Sequence, residues 1–345
     1  MPAFIQTGHS LIFPCFACMK HLPPRQVNHR TTRRRSQQVW EILLLLLTKK
    51  LGYNIIILSL LTIVNVKSTA VNARVAARRC LEMRKTVDIL GIPVDAVTMK
   101  EAVKIVGRFI SEGGTHVIYT PNAEIIMQAQ RDPELKEILK KADMLTADGA
   151  GVVLASRILR TELPEKVSGI DLVQEIFRAY AKKGLRCFLF GAKPGVAEEA
   201  AVNIIKDHPG IVIAGCRNGY FSDEENDGII AEINRSSPDI LLVALGAPKQ
   251  EKWIYGNLDK LDVKLCIGVG GTLDVLSGRV PKTPEFLRRN GLEWLYRLCR
   301  EPRRAKRMLD LPRFMLRVFR TRLTGRGKLT AGRKAVVRRR RNRSK

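Results

Sequence analysis

From Lys85 to Thr272 short apolar runs alternate with stretches of helical periodicity, and this alternation leaves few folds open. Val87–Ile92, Val117–Tyr119, Met144–Leu145, Cys187–Phe190, Ile211–Ala214, Ile240–Leu245 and Lys264–Val269 read as strands. Between them, Ala102, Ile105, Val106 and Phe109 recur on one face of a helix over Thr98–Ile110. Leu172, Val173, Ile176 and Phe177 do the same after Gly169-Ile170-Asp171, and further helices are expected over Val196–Lys206 and Asp223–Asn234. Strands separated by helices of about 10–15 residues build right-handed βαβ units. The predicted fold class is therefore α/β, a Rossmann-like, mainly parallel sheet flanked by helices. No internal repeat is evident.

Two polar clusters stand where strands hand over to helices. Thr120-Pro121-Asn122-Ala123-Glu124 follows one apolar run, and Thr146-Ala147-Asp148-Gly149 follows another. Carried by neighbouring parallel strands, both would lie at the carboxyl edge of one sheet, where open α/β folds bind ligands. Thr120 is expected as a helix N-cap, with Pro121 at the first helical position and Glu124 in the first turn. Capping alone would account for Thr120, Asn122 or Glu124 taken singly.

Three glycine turns also follow strands. Gly191-Ala-Lys-Pro-Gly195 has the context of a phosphate cradle but matches neither GxGxxG nor GxxxxGK[ST]. Gly246-Ala-Pro-Lys-Gln-Glu251 and Gly268-Val-Gly-Gly-Thr272 carry more weight together. Two turns with open backbone donors, the amide of Gln250 and the hydroxyl of Thr272 would suit a diphosphate. Asp274 is placed to accept from a uracil N–H or a ribose hydroxyl, and Tyr220 to stack on a base. Both residues also have ordinary structural readings.

The charge is uneven. Lys and Arg number 60 against 33 Asp and Glu, a net +27. The excess sits in Arg25–Arg35 and from Arg279 to Lys345, while Lys85–Asp274 is near balance. A balanced core with a basic end argues for docking on an anionic surface and against specific nucleic-acid binding. The seven cysteines, an odd number and several in apolar runs, suit a reducing compartment. Cys15-Phe-Ala-Cys18 lacks a second pair and correct histidine spacing, so no metal site is expected there.

Four segments are expected. Residues 1–85 differ from the rest, with apolar blocks at Ile42–Leu47 and Ile55–Val66 too short to span a bilayer. They read as a mis-called start, translation beginning near Met83, ahead of a marginal anchor. Residues 86–285 form the α/β domain. Residues 286–324 form a basic amphipathic appendage: Leu287, Leu292, Trp294, Leu295 and Leu298, then Phe314, Met315, Val318, Phe319 and Leu323, are interleaved with arginine. Such helices lie in membrane interfaces; alternatively the stripe packs on the parent domain. Residues 325–345 are expected to be a disordered basic tail.

Taken in order, Thr-Pro-Asn-Ala-Glu at 120–124, Ala-Asp-Gly at 147–149, Gly-Tyr-Phe at 219–221, Leu-Gly-Ala-Pro-Lys-Gln-Glu at 245–251 and Gly-Val-Gly-Gly at 268–271 resemble the TagA/WecG/CpsF glycosyltransferases. So do Trp-Leu-Tyr-Arg and Glu-Pro-Arg-Arg at 294–304. The resemblance runs from about Lys85 to about Leu323 and is strongest to the TagA branch. It implies inverting transfer of N-acetylmannosamine from UDP-N-acetylmannosamine (UDP-ManNAc) to the 4-hydroxyl of polyprenyl-diphosphate-linked N-acetylglucosamine. This would occur at the cytoplasmic face of the bacterial plasma membrane, by a peripheral enzyme of teichoic acid linkage or related synthesis.

Asp148 matches the family's base, with Thr120 and Asn122 positioning sugar. Gln250 would touch the sugar or diphosphate, beside Gly271 and Thr272, and Tyr220 and Asp274 would hold uridine. No DxD pair is present, so no cofactor or metal is expected. Arg297, Arg304 and Arg307 match basic positions of the family's appendage and would meet the diphosphate. Lys166 stands where relatives often carry Arg, keeping charge without the bidentate fork. Another UDP-sugar transferase of the family is the nearest alternative; a nucleotide-binding dehydrogenase fits the glycine spacing poorly. Homo-oligomerisation is left open.

Overall fold

A computed structural model describes residues 84–300, 309–324 and 332–334. The chain enters through a hairpin of β1 (Arg84–Ile89) and β2 (Ile92–Asp95). Then follow α1 (Met99–Ser111), β3 (His116–Tyr119), α2 (Ala123–Ala129), α3 (Pro133–Lys140), β4 (Met144–Leu145), α4 (Ala150–Ile158) and α5 (Gly169–Tyr180). The second half runs β5 (Arg186–Gly191), α6 (Val196–Asp207), β6 (Val212–Arg217), α7 (Asn226–Ser236), β7 (Ile240–Ala244), α8 (Lys249–Asn257), β8 (Leu265–Gly268) and α9 (Thr272–Leu276). Short helices α10 (Glu285–Arg289) and α11 (Glu293–Arg300), helix α12 (Asp310–Leu323) and strand β9 (Gly332–Lys334) complete it.

Six strands form one parallel sheet in the order β4-β3-β8-β7-β5-β6. The expected parallel α/β sheet is present, and its inner strands are apolar throughout because helices cover both faces. On one face Ile126, Leu135, Val152 and Ile254 join a core that also takes in the hairpin. On the other, Ile105, Phe177, Ala197 and Leu273 close the second core.

The expected strand Val87–Ile92 is instead a hairpin in its own antiparallel sheet. Leu90 and Gly91 both take positive φ, 55° and 84°, the geometry of a tight two-residue turn. The Gly91 N–H donates to Asp88 Oδ1 at 2.6 Å, which holds the reversal. Four apolar residues among six, Val87, Ile89, Leu90 and Ile92, made the segment read as one strand, although Asp88 and Gly91 interrupt it. Helix α3 was not anticipated either; Asp132 caps it by accepting from the Leu135 N–H at 3.0 Å, and Pro133 opens it. Gly332–Lys334, within the expected tail, pairs antiparallel with β1.

Helix α12 has two apolar edges. Phe314 and Val318 are fully buried in the main core, and Gly151 lies where a Cβ would stand 3.2 Å from Leu311. Arg131 grips Asp310 at the start of α12 with two hydrogen bonds of 2.9 and 2.6 Å. These bonds hold the Asp310 carboxyl below its ordinary range. On the outer edge Leu316, Phe319 and Leu323 are exposed, Leu323 by 85%. Among the described residues no helix is long and apolar enough to cross a membrane.

Candidate active site

Strand β3 leads into a helix on one face of the sheet, and its neighbour β8 leads into α9 on the other. The chain therefore parts above these strands and opens a crevice at their carboxyl ends. Both polar clusters border it, because β3 and β4 are parallel neighbours. The crevice holds about 160 Å³ and is lined by Thr120, Asn122, Asp148, Gln250, Gly271 and Thr272 among others. Six candidate residues drawn from four strand ends thus meet in one place.

Local chemistry differs from expectation at several of them. Asn122, not Thr120, is the N-cap of α2, its Oδ1 accepting the Ile125 N–H at 2.9 Å. Thr120 stays in the extended chain two residues earlier, so Pro121 lies outside the helix; Glu124 is in the first turn as expected. Thr120 is only 8% exposed and packs on Gly169, where an added Cβ would lie 3.0 Å from its Oγ1. The Thr272 hydroxyl is not an open donor: it is buried and donates to the Val269 carbonyl at 2.7 Å. Asp148 is half-buried, and its backbone N–H donates to the Pro121 carbonyl at 3.3 Å.

Tyr220 and Asp274 border a second, larger cleft of about 970 Å³ that shares Gly271, Ile170 and Val275 with the crevice. Tyr220 stands 67% exposed at this rim. The glycine turn at 191–195 contributes its own lining here, through Ala192 and Lys193. Its helix end is not an open cradle, because Arg279 and Glu199 pair across it at 2.6 Å and an added Gly195 Cβ would lie 2.9 Å from Arg279. A third cavity, about 830 Å³, shares Asn122, Glu124 and Asp148 with the crevice. Its walls include Leu154, Leu292, Trp294 and Met315, with Arg157 and Lys166. Asp148 therefore sits between a polar crevice and a more apolar cavity.

The cations of these walls fall into two groups. Arg279, Lys282 and Arg288 are paired with Glu199, Asp171 and Glu285. Lys166 pairs with Glu293 at 2.9 Å, both about a fifth exposed. Lys193, Lys249 and Arg157 make no ion pair among the described residues; Lys249 Nζ rides 4.5 Å above the Phe221 ring. Arg297 belongs to α11, but its side chain lies outside the described residues, as do Arg304 and Arg307 entirely.

Sequence reasoning missed four contributors: Lys193, Lys249, Glu251 and Glu293. The first three stood inside motifs that had been quoted for their glycines and Gln250. Glu293, which lines all three cavities, directly precedes the Trp-Leu-Tyr-Arg motif in a segment whose signals are its apolar and basic residues. Glu251 is 1% exposed, and burial pushes its carboxyl up to about 6, the Gln250 amide pulling the other way.

A family model for the Glycosyl transferase WecG/TagA/CpsF family matches residues 87–328. The chain is 38% identical over 203 residues to the N-acetylglucosaminyldiphosphoundecaprenol N-acetyl-beta-D-mannosaminyltransferase of Bacillus subtilis (strain 168), covering 59% of this chain and 78% of that protein. It is 32% identical over 234 residues to the protein of the same name from Staphylococcus aureus (strain MRSA252), covering 67% of this chain and 91% of the relative. The matched span takes in all three cavities and every strand of the parallel sheet, and the chain belongs to the WecG/TagA/CpsF family of glycosyltransferases.

Proposed function

We propose that this chain is an inverting glycosyltransferase moving N-acetylmannosamine from UDP-ManNAc to the 4-hydroxyl of N-acetylglucosamine linked through a diphosphate to undecaprenol. It works without a metal or cofactor, as a peripheral protein at the cytoplasmic face of the bacterial plasma membrane. The observation that carries this is the position of Asp148, on the wall shared by the crevice and the third cavity.

In this reading uridine occupies the large cleft, with Tyr220 against the base and Asp274 on uracil or ribose. The donor sugar enters the crevice beside Thr120, Asn122 and Gln250. Its diphosphate passes Gly271, where the cations Lys193 and Lys249 offset the charge that builds as UDP departs. The acceptor approaches through the third cavity, its prenyl chain against Leu154, Leu292 and Trp294 and its own diphosphate near Arg157.

The Asp148 carboxylate takes the proton of the acceptor hydroxyl as oxygen bonds to the anomeric carbon. The bond from that carbon to UDP breaks on the opposite face, its electron pair leaving with the diphosphate. Configuration inverts.

Incubating the full chain with UDP-ManNAc and a short-prenyl diphosphate-linked N-acetylglucosamine tests this. The expected product carries one added N-acetylhexosamine, with one UDP released per product. Product from a different UDP-sugar alone would move the assignment to another activity of the same family. No product from any UDP-sugar would overturn it.

A further inference from the structure

The Gln250 carboxamide is held by two buried partners. Its Oε1 accepts the Gly270 N–H at 3.0 Å, and its Nε2 donates to Glu251 Oε1 at 2.9 Å. Gln250 is 3% exposed and Glu251 1%, and the second Glu251 oxygen is buried with no hydrogen-bond partner among the described residues.

A carboxamide turned by half a rotation exchanges its oxygen and nitrogen with almost no change of shape, so neighbours must choose its orientation. A backbone N–H can only donate, so Gly270 requires the oxygen on its side. The nitrogen must then face Glu251, and that position must offer an acceptor. With those contacts made, one N–H of Gln250 remains for a ligand in the crevice it lines. Gly268 leaves room for this, since a Cβ there would lie 3.1 Å from Nε2. A carboxyl group this deeply buried, with one oxygen unmet, is costly unless it does something for its neighbour.

We infer that Glu251 is a positioning residue: it holds the Gln250 amide in the one orientation that fixes the Gly270 turn and presents an N–H to an oxygen of the donor sugar or its diphosphate. This rests on the proposed transferase reading for the identity of the ligand, but not for the hydrogen-bond relay itself.

Two measurements test it, on the full chain. The first is transfer kinetics of Glu251→Leu, Glu251→Gln, Gln250→Ala and the Gln250→Ala/Glu251→Leu pair. Glu251→Leu should lower kcat/KM about 10- to 30-fold, the scale of one misdirected buried hydrogen bond. Glu251→Gln, which still offers an acceptor oxygen, should restore most of it. The paired substitution should be no worse than Gln250→Ala alone, because the two residues act through one group. Additive losses, or parental kinetics in Glu251→Leu, would overturn the inference.

The second is amide hydrogen exchange over residues 266–274, which needs no substrate. Exchange at Gly270 should quicken about tenfold or more in Glu251→Leu and stay parental in Glu251→Gln. Unchanged exchange in Glu251→Leu would refute the relay even if the transferase assignment stood. Faster exchange in a protein that transfers no sugar would leave the relay standing and refute the transferase assignment.

Discussion

The backbone N–H of Asp148 donates to the carbonyl of Pro121 across 3.3 Å, so the turn after one strand is tied to the turn after its neighbour. The tie sets the proposed base at a fixed place relative to Thr120 and Asn122, although 21 residues of chain lie between the clusters. Each turn is also anchored by its own strand in adjacent parallel register, Tyr119 opposite Leu145. A carboxylate placed by paired strands has less freedom to drift than one on a free loop.

Helix α12 should behave as part of the core. Phe314 is fully buried against it, so Phe314→Ala should cost about 3–5 kcal/mol in urea unfolding. Chain ends cut before residue 286 should lose at least as much. A loss under about 1 kcal/mol for Phe314→Ala would mean that the helix is only loosely laid on the domain.

The outer edge of the same helix should hold the membrane. Leu316, Phe319 and Leu323 are exposed on the side away from Phe314, with Arg313, Arg317, Arg320 and Arg322 beside them. Replacing all three by Ser should weaken binding to vesicles containing anionic lipid about 100-fold, with the melting temperature held within a few degrees. Vesicle binding equal to that of the parent would exclude this face.

Much of this architecture was legible in advance. Runs such as Ile240–Ala244 are buried along their whole length, and full burial leaves an apolar signature that no turn interrupts. Leu90-Gly91 escaped because Val87, Ile89, Leu90 and Ile92 carry the apolar content of a single strand, and the Asp88 carboxylate that holds the turn and the positive φ values at Leu90 and Gly91 become evident only in the folded hairpin. At the site, the strand-end position of Asp148 followed from the βαβ pattern. Which hydroxyl or amide was already spent did not: Thr272 donates to Val269 and Asn122 accepts from Ile125, each only three residues away, and a polar cluster offers several such local partners. Thr120, the rival cap, packs instead on the distant Gly169. For Lys193 and Lys249, the lack of a carboxylate partner among the described residues is a property of the assembled cleft.

The pH dependence of stability should carry a mark of Glu251. Burial raises its carboxyl from 4.5 to about 6, so the native state holds this proton more tightly than the unfolded chain. That contribution is complete below about pH 4.5 and is lost as pH rises through about 6. Glu251→Gln cannot ionise, so its stability relative to the parent should improve by about 2 kcal/mol between pH 4.5 and pH 7.5. Urea unfolding at the two pH values measures this; the same difference at both would contradict it.

The role of Asp148 can be read from single-turnover transfer by Asp148→Asn, with UDP-ManNAc and the lipid-linked acceptor both saturating. The substitution keeps the shape and the backbone hydrogen bond to Pro121 but cannot take a proton. Loss of the base should slow the chemical step about 100- to 10,000-fold, with the affinity for UDP-ManNAc unchanged. A transfer rate within threefold of the parent enzyme would contradict the assignment of Asp148 as the base.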